Sequence, residues 1–191
     1  QIGLPWVIAK TLTKSVKINR FNKKKYTFLS EKGEIYSVER NSKQYAHEEK
    51  NMQILEIGDI VNVFLQDGDR VMINRQPTLH QGSMMTHKVK VVNNTNGVSD
   101  SIQLNLSTTT PYNADFDGDE VNVIPAMSEG TSFEIDYLSS IAEMQVDNRG
   151  SGVSMGLIQD SCLATYLVTN LNKLENLDVI QSLSGFSTLS N

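Results

Sequence analysis

Ile54-Leu55-Glu56-Ile57-Gly58-Asp59-Ile60-Val61-Asn62-Val63-Phe64-Leu65 opens the β-rich part of the chain, cut once by a Gly-Asp turn. Asp67-Gly68-Asp69 is the next turn, and Arg70-Val71-Met72-Ile73-Asn74-Arg75 reads as a strand. His87-Lys88-Val89-Lys90-Val91-Val92 alternates polar and apolar, as a half-exposed strand does. After the loop Asn93-Asn94-Thr95-Asn96-Gly97, the stretch Ile102-Gln103-Leu104-Asn105-Leu106-Ser107 alternates again, and Val121-Asn122-Val123-Ile124 reads as a short strand. Upstream, Pro5 suits the first turn of a short helix beginning at Trp6. Residues 20–53 are polar, with apolar pieces Tyr26-Thr27-Phe28-Leu29 and Glu34-Ile35-Tyr36-Ser37-Val38 that read as small strands or loops around a Lys32-Gly33 turn. Beyond Pro125 the period becomes helical. Thr131 to Gln145 carries Phe133, Leu138, Ile141 and Met144, with Thr131 and Glu134 placed as a capping box. Arg149-Gly150-Ser151-Gly152 is a break. Gly156 to Leu174 reads as a second helix, with Ile158, Cys162, Tyr166, Asn170 and Leu174 along one line. Short strands followed by helices predict an α+β fold, a small β-barrel with helices appended. No internal repeat is present.

At 191 residues, 39% hydrophobic and 20% charged, the chain is long enough for one sizeable core. It has no run of about 18 apolar residues, so no membrane span is expected. Its first residues, Gln1-Ile2-Gly3-Leu4-Pro5-Trp6, do not resemble a signal peptide, and both ends are expected to be cuts of a longer protein. The single cysteine, Cys162, forms no internal disulfide, fits a reducing compartment and is expected to be buried in helix packing. The net charge of −5 is uneven. Residues 1–50 hold 11 Lys/Arg against 5 Asp/Glu, including Lys10, Lys14, Lys17, Arg20 and the run Lys23-Lys24-Lys25. Such a face suits phosphates or is a solvated basic surface.

The chemistry is concentrated at Asn113-Ala114-Asp115-Phe116-Asp117-Gly118-Asp119. Alternation places Asp115, Asp117 and Asp119 on one side of an extended chain. Three close carboxylates repel one another unless a cation sits among them. Oxygen-only donors suit a hard cation such as magnesium, manganese or calcium rather than zinc. Gly118 permits the unusual backbone that converges alternate side chains. The same pattern also occurs as a solvated acidic turn. An EF-hand calcium loop does not fit. Started at Asp115, it needs glycine and glutamate where Glu120 and Ala126 stand; started at Asn113, Gly118 is in place but the twelfth position is Ile124. No helix is expected before the loop, only the Ile102 strand and Thr108-Thr109-Thr110-Pro111.

The segment Asn113–Asp119 resembles the active-site motif of the largest subunit of multisubunit DNA-dependent RNA polymerases. A second block, Asn74-Arg75-Gln76-Pro77-Thr78-Leu79-His80 followed by Ser83-Met84-Met85 and His87, is similar to that family's upstream motif in the right order. Gly3-Leu4-Pro5 with Ile8–Thr13, Leu104–Ser107 with Pro111-Tyr112, and Met155-Gly156-Leu157-Ile158-Gln159-Asp160 extend the resemblance over roughly residues 1–170, toward eukaryotic, archaeal and large-virus enzymes. It implies a double-psi β-barrel core with appended helices. Residues 1–53 would be the basic lead-in to the active-site region, 54–127 the barrel with the aspartate loop, and 128–191 a helical segment leading into the pore region. It further implies RNA synthesis from ribonucleoside triphosphates on a DNA template, with Asp115, Asp117 and Asp119 holding Mg2+ and a second magnesium arriving with the triphosphate. Arg75 and Asn113 would lie near the ribose hydroxyls and Pro77 near the base. His80 and His87 are expected to be hydrogen-bonded structural histidines. Gln81-Gly82 and residues 148–154 depart from the family pattern and residues 19–53 match it loosely, which suggests a divergent polymerase, viral in origin.

The implied partners are the second-largest subunit, other polymerase subunits, the DNA template and the RNA transcript. The implied location is intracellular, in the nucleus or in a viral factory in the cytoplasm. Two other functions compete: a two-barrel RNA-dependent RNA polymerase, which shares the D-x-D-G-D loop but lacks the Asn74–His80 block, and a non-catalytic structural fragment that kept the barrel. Alone, the chain is expected to be inactive, because the bridge helix, trigger loop and second subunit lie elsewhere.

Overall fold

The computed structural model describes residues 1–46, 54–92, 101–147, 150, 152–158 and 160–170. The Asn93–Gly97 loop, residues 149 and 151 of the break at 149–152 and the C-terminal end of the second helix lie outside them. The chain divides into two compact units, Gln1–Ser154 and Met155–Asn191.

The first unit is mixed α+β, built on two four-stranded sheets. One sheet runs in the order β1 (Ile2–Pro5), β7 (Met84–Val92), β6 (Arg70–Asn74), β8 (Asn122–Pro125). β1 lies parallel to β7, with Leu4 opposite Val91, and the other pairs are antiparallel. Alternation explains its buried face: Val71 and Ile73 of β6 are fully buried, as are Ile2 and Leu4 of β1 and Met85 of β7, while Lys88 and Lys90 are exposed. The other sheet runs β2 (Thr13–Lys17), β5 (Ile60–Phe64), β3 (Ile35–Arg40), β4 (Lys43–Ala46), all antiparallel. Its core gathers Val16, Ile18, Ile35, Val38, Leu55, Val61 and Val63 around Tyr26. The short helix after Pro5 is α1 (Trp6–Ala9).

Three local expectations are corrected. Tyr26-Thr27-Phe28-Leu29 is neither strand nor loop but lies within α2 (Lys23–Glu31). Asn19 and Asn22 start this helix: the Asn19 carboxamide accepts from the Asn22 N–H at 2.9 Å, and that of Asn22 accepts from the Asn19 N–H at 2.7 Å. The inward residues Tyr26, Leu29 and Ser30 then follow helical spacing, which four adjacent residues cannot reveal. Ile102–Ser107 is not a strand. Gln103 alone bridges to Gly3, and Asn105 Oδ1 accepts from the Ser107 N–H at 2.9 Å, turning the chain into a 3-10 turn at Leu106–Thr108. That turn continues into a single helical turn, α3 (Thr109–Tyr112), so a short helix does precede the aspartates.

The helix expected from Thr131 to Gln145 is instead α4 (Glu129–Ser139), followed by a separate 3-10 turn at Glu143–Gln145. Ser128, not Thr131, is its cap: the hydroxyl accepts from the Thr131 N–H at 3.1 Å. The helix stops where Ser139 bonds to Thr86 at 2.7 Å and Ser140 turns extended to bridge Thr86 of β7. Ser128→Ala is expected to lower stability by about 1 kcal/mol in urea unfolding. Arg70 fastens α4 to β6 through two hydrogen bonds to Asp136, at 2.6 and 2.9 Å.

The second unit contributes α5 (Asp160–Asn170). Cys162, expected to be buried, is exposed, its thiol donating to the Leu157 carbonyl at 3.1 Å. Leu163 and Tyr166 are also exposed. No helix among the described residues is long and apolar enough to cross a membrane.

Candidate metal centre

Asp115, Asp117 and Asp119 follow α3 and precede β8. Each offers a carboxylate oxygen, and these oxygens lie within 4.8 Å of one another. All three residues are exposed, and they are the one such acidic, histidine or cysteine cluster among the described residues. Two left-handed backbone positions shape the loop. Asn113 ends α3 at φ 47°, ψ 43°, a conformation asparagine tolerates, and Gly118 adopts φ 120°, where a side chain would be strained. The Asp115 N–H donates to Asp119 Oδ2 at 3.0 Å and ties the loop's two ends.

Arg75 reaches the cluster from the neighbouring strand. β6 pairs antiparallel with β8, with Asn74 opposite Asn122, so the residue after β6 meets the residues before β8. Its guanidinium grips Asp119 with both nitrogens of one edge, Nε to Oδ2 at 2.7 Å and Nη2 to Oδ1 at 3.0 Å. Nη1 also donates to the Tyr112 carbonyl at 3.4 Å. The electrostatics divide the carboxylates. The Arg75 hydrogen bonds, helped by the Asp115 N–H, hold Asp119 below the usual carboxylate range. Asp115 is pushed up, first by its hydrogen bond with Asp117 and further by the charges of Asp117 and Asp119. The loop thus concentrates more negative charge than its one arginine offsets.

The donor set fits a hard cation. Neighbouring oxygens of a magnesium octahedron, each bound at about 2.1 Å, lie about 3 Å apart, so the three carboxylates would draw inward to hold one ion. Of the other residues singled out in the sequence, Asn113 adjoins the aspartates. Pro77 lies two residues past Arg75, exposed, after a cis Gln76–Pro77 peptide bond.

The support beneath the loop was only half legible in the sequence. His87, expected to be structural, is buried in β7, and its Nε2 shares a hydrogen bond of 2.8 Å with the Tyr112 hydroxyl. The two rings stack at 5.9 Å. Tyr112 itself carried no signal beyond its motif, yet it pins the residue just before Asn113 onto the β6–β7 sheet. Burial is the main cause that pushes His87 down to about 4. A folded pKa below the unfolded value of about 6.5 means that the unfolded chain takes up the proton first. His87 therefore contributes stability that is complete above pH 6.5 and is lost as pH falls toward 4, on the order of 3 kcal/mol in all. Urea unfolding between pH 7 and 4.5 is expected to show this loss relative to His87→Gln; equal pH dependence of the two proteins would refute it.

An α+β scaffold that holds three carboxylates and an arginine at the end of a sheet is the class this fold and site define. The family model for RNA polymerase Rpb1, domain 2, matches residues 1–141, and the chain belongs to that family, within the largest subunits of RNA polymerases. It is 35% identical over 196 residues to DNA-directed RNA polymerase II subunit RPB1-B of Trypanosoma brucei brucei, covering 96% of this chain and 10% of that protein. It is 34% identical over 208 residues to DNA-directed RNA polymerase subunit Rpo1N of Methanococcus vannielii, covering 98% of this chain and 23% of that protein. DNA-directed RNA polymerase III subunit RPC1 of Plasmodium falciparum is 37% identical over 129 residues, covering 68% of this chain and 5% of that protein. The chain thus spans a small part of the length of these relatives.

Proposed function

We propose that this chain is the magnesium-binding catalytic segment of a DNA-dependent RNA polymerase largest subunit, acting in nucleotidyl transfer onto RNA 3′ ends. The observation that carries the reading is the convergence of Asp115, Asp117 and Asp119 within 4.8 Å in a chain of this family. In this reading residues 54–127 form the double-psi β-barrel, 1–53 its lead-in and 128–191 the approach to the pore. The partners are the second-largest and other subunits, the DNA template, the transcript and ribonucleoside triphosphates, all within the cell.

When bound, magnesium supplies a lowered pKa for the attacking hydroxyl and charge neutralisation at the leaving pyrophosphate. The chain's own contribution is placement. The three carboxylates provide the anionic oxygens, and Gly118 and Asn113 provide the backbone shape that points them together. Arg75 sets the position of Asp119. Its remaining donor capacity, with the Asn113 carboxamide, faces ribose hydroxyls, and Pro77 bounds the base. Arg75→Ala in the assembled polymerase is expected to reduce the preference for ribo- over deoxyribonucleotides about tenfold or more, the value of one hydrogen bond to a charged donor. Single-turnover incorporation of paired nucleotides measures it, and an unchanged ratio refutes that role for Arg75.

Mn2+ titrated into the chain tests the metal site directly. Paramagnetic broadening of amide resonances is expected to centre on residues 113–119 and to weaken strongly in Asp117→Asn. Broadening with no focus there would overturn the proposal. Synthesis by the assembled enzyme on a DNA template, and not on RNA, separates it from the two-barrel RNA-dependent enzymes.

A further inference from the structure

The aspartate loop is held at both ends, by two different kinds of contact. Asp115, Asp117 and Asp119 are exposed, so core packing does not place them. Arg75 holds the exit of the loop through Asp119, and an exposed ion pair by itself holds weakly. The entry is held by Tyr112, which is 2% exposed and ends α3 directly before the left-handed Asn113. Its hydroxyl meets Nε2 of the buried His87 at 2.8 Å. One of the two groups supplies the proton in either neutral tautomer of the imidazole. The same hydroxyl lies 3.5 Å from the Ile73 carbonyl of β6 and 3.5 Å from the Met85 carbonyl of β7, residues that are paired in the ladder. Burial pushes the phenol up and the imidazole down, so both partners are neutral at pH 7.

These contacts close a ring. β6 carries Ile73, beside the Tyr112 hydroxyl, and runs on into Arg75. Arg75 Nη1 donates back to the Tyr112 carbonyl at 3.4 Å, while Nε and Nη2 hold Asp119. Between Tyr112 and Asp115 the backbone is also tied: the Asn113 N–H donates to the Thr110 carbonyl and the Ala114 N–H to the Thr109 carbonyl, both at 3.0 Å. A shift of the Tyr112 ring is therefore carried to Asp115. Three like charges favour spreading when no cation sits among them. The hold on the loop's entry sets how far their oxygens stand from the spacing that one ion requires. A side chain that touches no metal but orients those that do tunes affinity by about 10- to 100-fold.

We propose that Tyr112, through the bond between its hydroxyl and His87, is a positioning residue that sets the metal affinity of the aspartate loop; this rests on the metal-binding reading above. The test is Mn2+ affinity, read from the electron paramagnetic resonance signal of the free ion, in folded chain at a temperature well below unfolding. Tyr112→Phe keeps the ring and removes the hydroxyl, and is expected to weaken Mn2+ about tenfold. His87→Leu removes the hydroxyl's partner from the other side and is expected to match it. His87→Gln places an amide where Nε2 stood and is expected to stay within about threefold of the unaltered chain. In the assembled polymerase, Tyr112→Phe is expected to raise the Mg2+ concentration for half-maximal nucleotide addition about tenfold while the rate at saturating Mg2+ is largely kept. A purely structural tyrosine would lower the urea midpoint and leave the affinity of the folded chain unchanged, and that result in either Tyr112→Phe or His87→Leu would overturn the proposal. Equal weakening in His87→Gln and His87→Leu would assign the effect to packing rather than to the hydroxyl bond, and would also overturn it. The unaltered chain keeps the two readings apart. If it does not bind Mn2+ at residues 113–119, the metal centre itself fails; if it binds there and Tyr112→Phe binds equally well, only the positioning role fails.

Discussion

Asp117→Asn in the assembled polymerase is expected to lower the rate of nucleotide addition by more than about 100-fold while leaving subunit assembly intact. Even indirect supports of a bound metal lose about 10- to 100-fold when removed, and a direct ligand should lose more. Asparagine keeps the size of the side chain and one oxygen but removes a charge. The argument for separating activity from folding is local. Asp117 is exposed, in a loop whose backbone is tied by the Asp115–Asp119 hydrogen bond and supported by Tyr112. Removing one of three crowded anions relieves repulsion in the metal-free loop, so the folded chain should be no less stable. Extension of a primed RNA by the purified enzyme reads the rate, and co-purification of subunits reads the assembly. Activity near that of the unaltered enzyme would remove Asp117 from the catalytic centre.

Arg40→Ala is expected to cost about 3–5 kcal/mol of unfolding free energy, through loss of a partner for a buried carboxylate. Asp59 immediately precedes β5, and its side chain is 3% exposed. Arg40 at the end of β3 gives it two hydrogen bonds, Nε to Oδ1 at 2.8 Å and Nη2 to Oδ2 at 2.6 Å, and the Glu56 N–H adds a third at 2.7 Å. These bonds, those of Arg40 foremost, hold Asp59 below the usual carboxylate range. Arg40 also reaches the Ile54 carbonyl and Glu56, both at 3.0 Å, and so fixes the turn that leads into β5. Without Arg40 the charge stays buried with one donor. The paired change Arg40→Met/Asp59→Leu removes both charges and should recover most of the loss. Urea unfolding of the two variants decides: a loss below about 1 kcal/mol in Arg40→Ala means that solvent reaches Asp59 freely.

The chemistry of the site was legible in the residues. Three aspartates at alternate positions with Gly118 between the last two specify oxygen donors and a tight turn, and two motifs in order specify the family. Strands β5 to β8 were legible too, because β6 and β7 alternate strongly and turns at Gly33, Gly58 and Gly68, all at positive φ, punctuate the chain, whereas β1, β2 and β4 carried no reading as strands. The helical nature of Tyr26–Leu29, the cap at Ser128 and the end of the Ile102 stretch were not. Each was decided by side chains bonding to nearby backbone or by burial against a sheet, which outweighed local pattern.

By itself, then, the sequence determined what atoms the site offers: carboxylate oxygens, a guanidinium and a permissive glycine. Only the tertiary structure decided that Arg75 closes on Asp119, 44 residues away, and that His87 meets Tyr112, 25 residues away. The physical reason is strand register. Hydrogen bonding of β6 to both β7 and β8 sets which residues face each other across the sheet, and that alignment depends on the whole ladder rather than on the periodicity of any one strand.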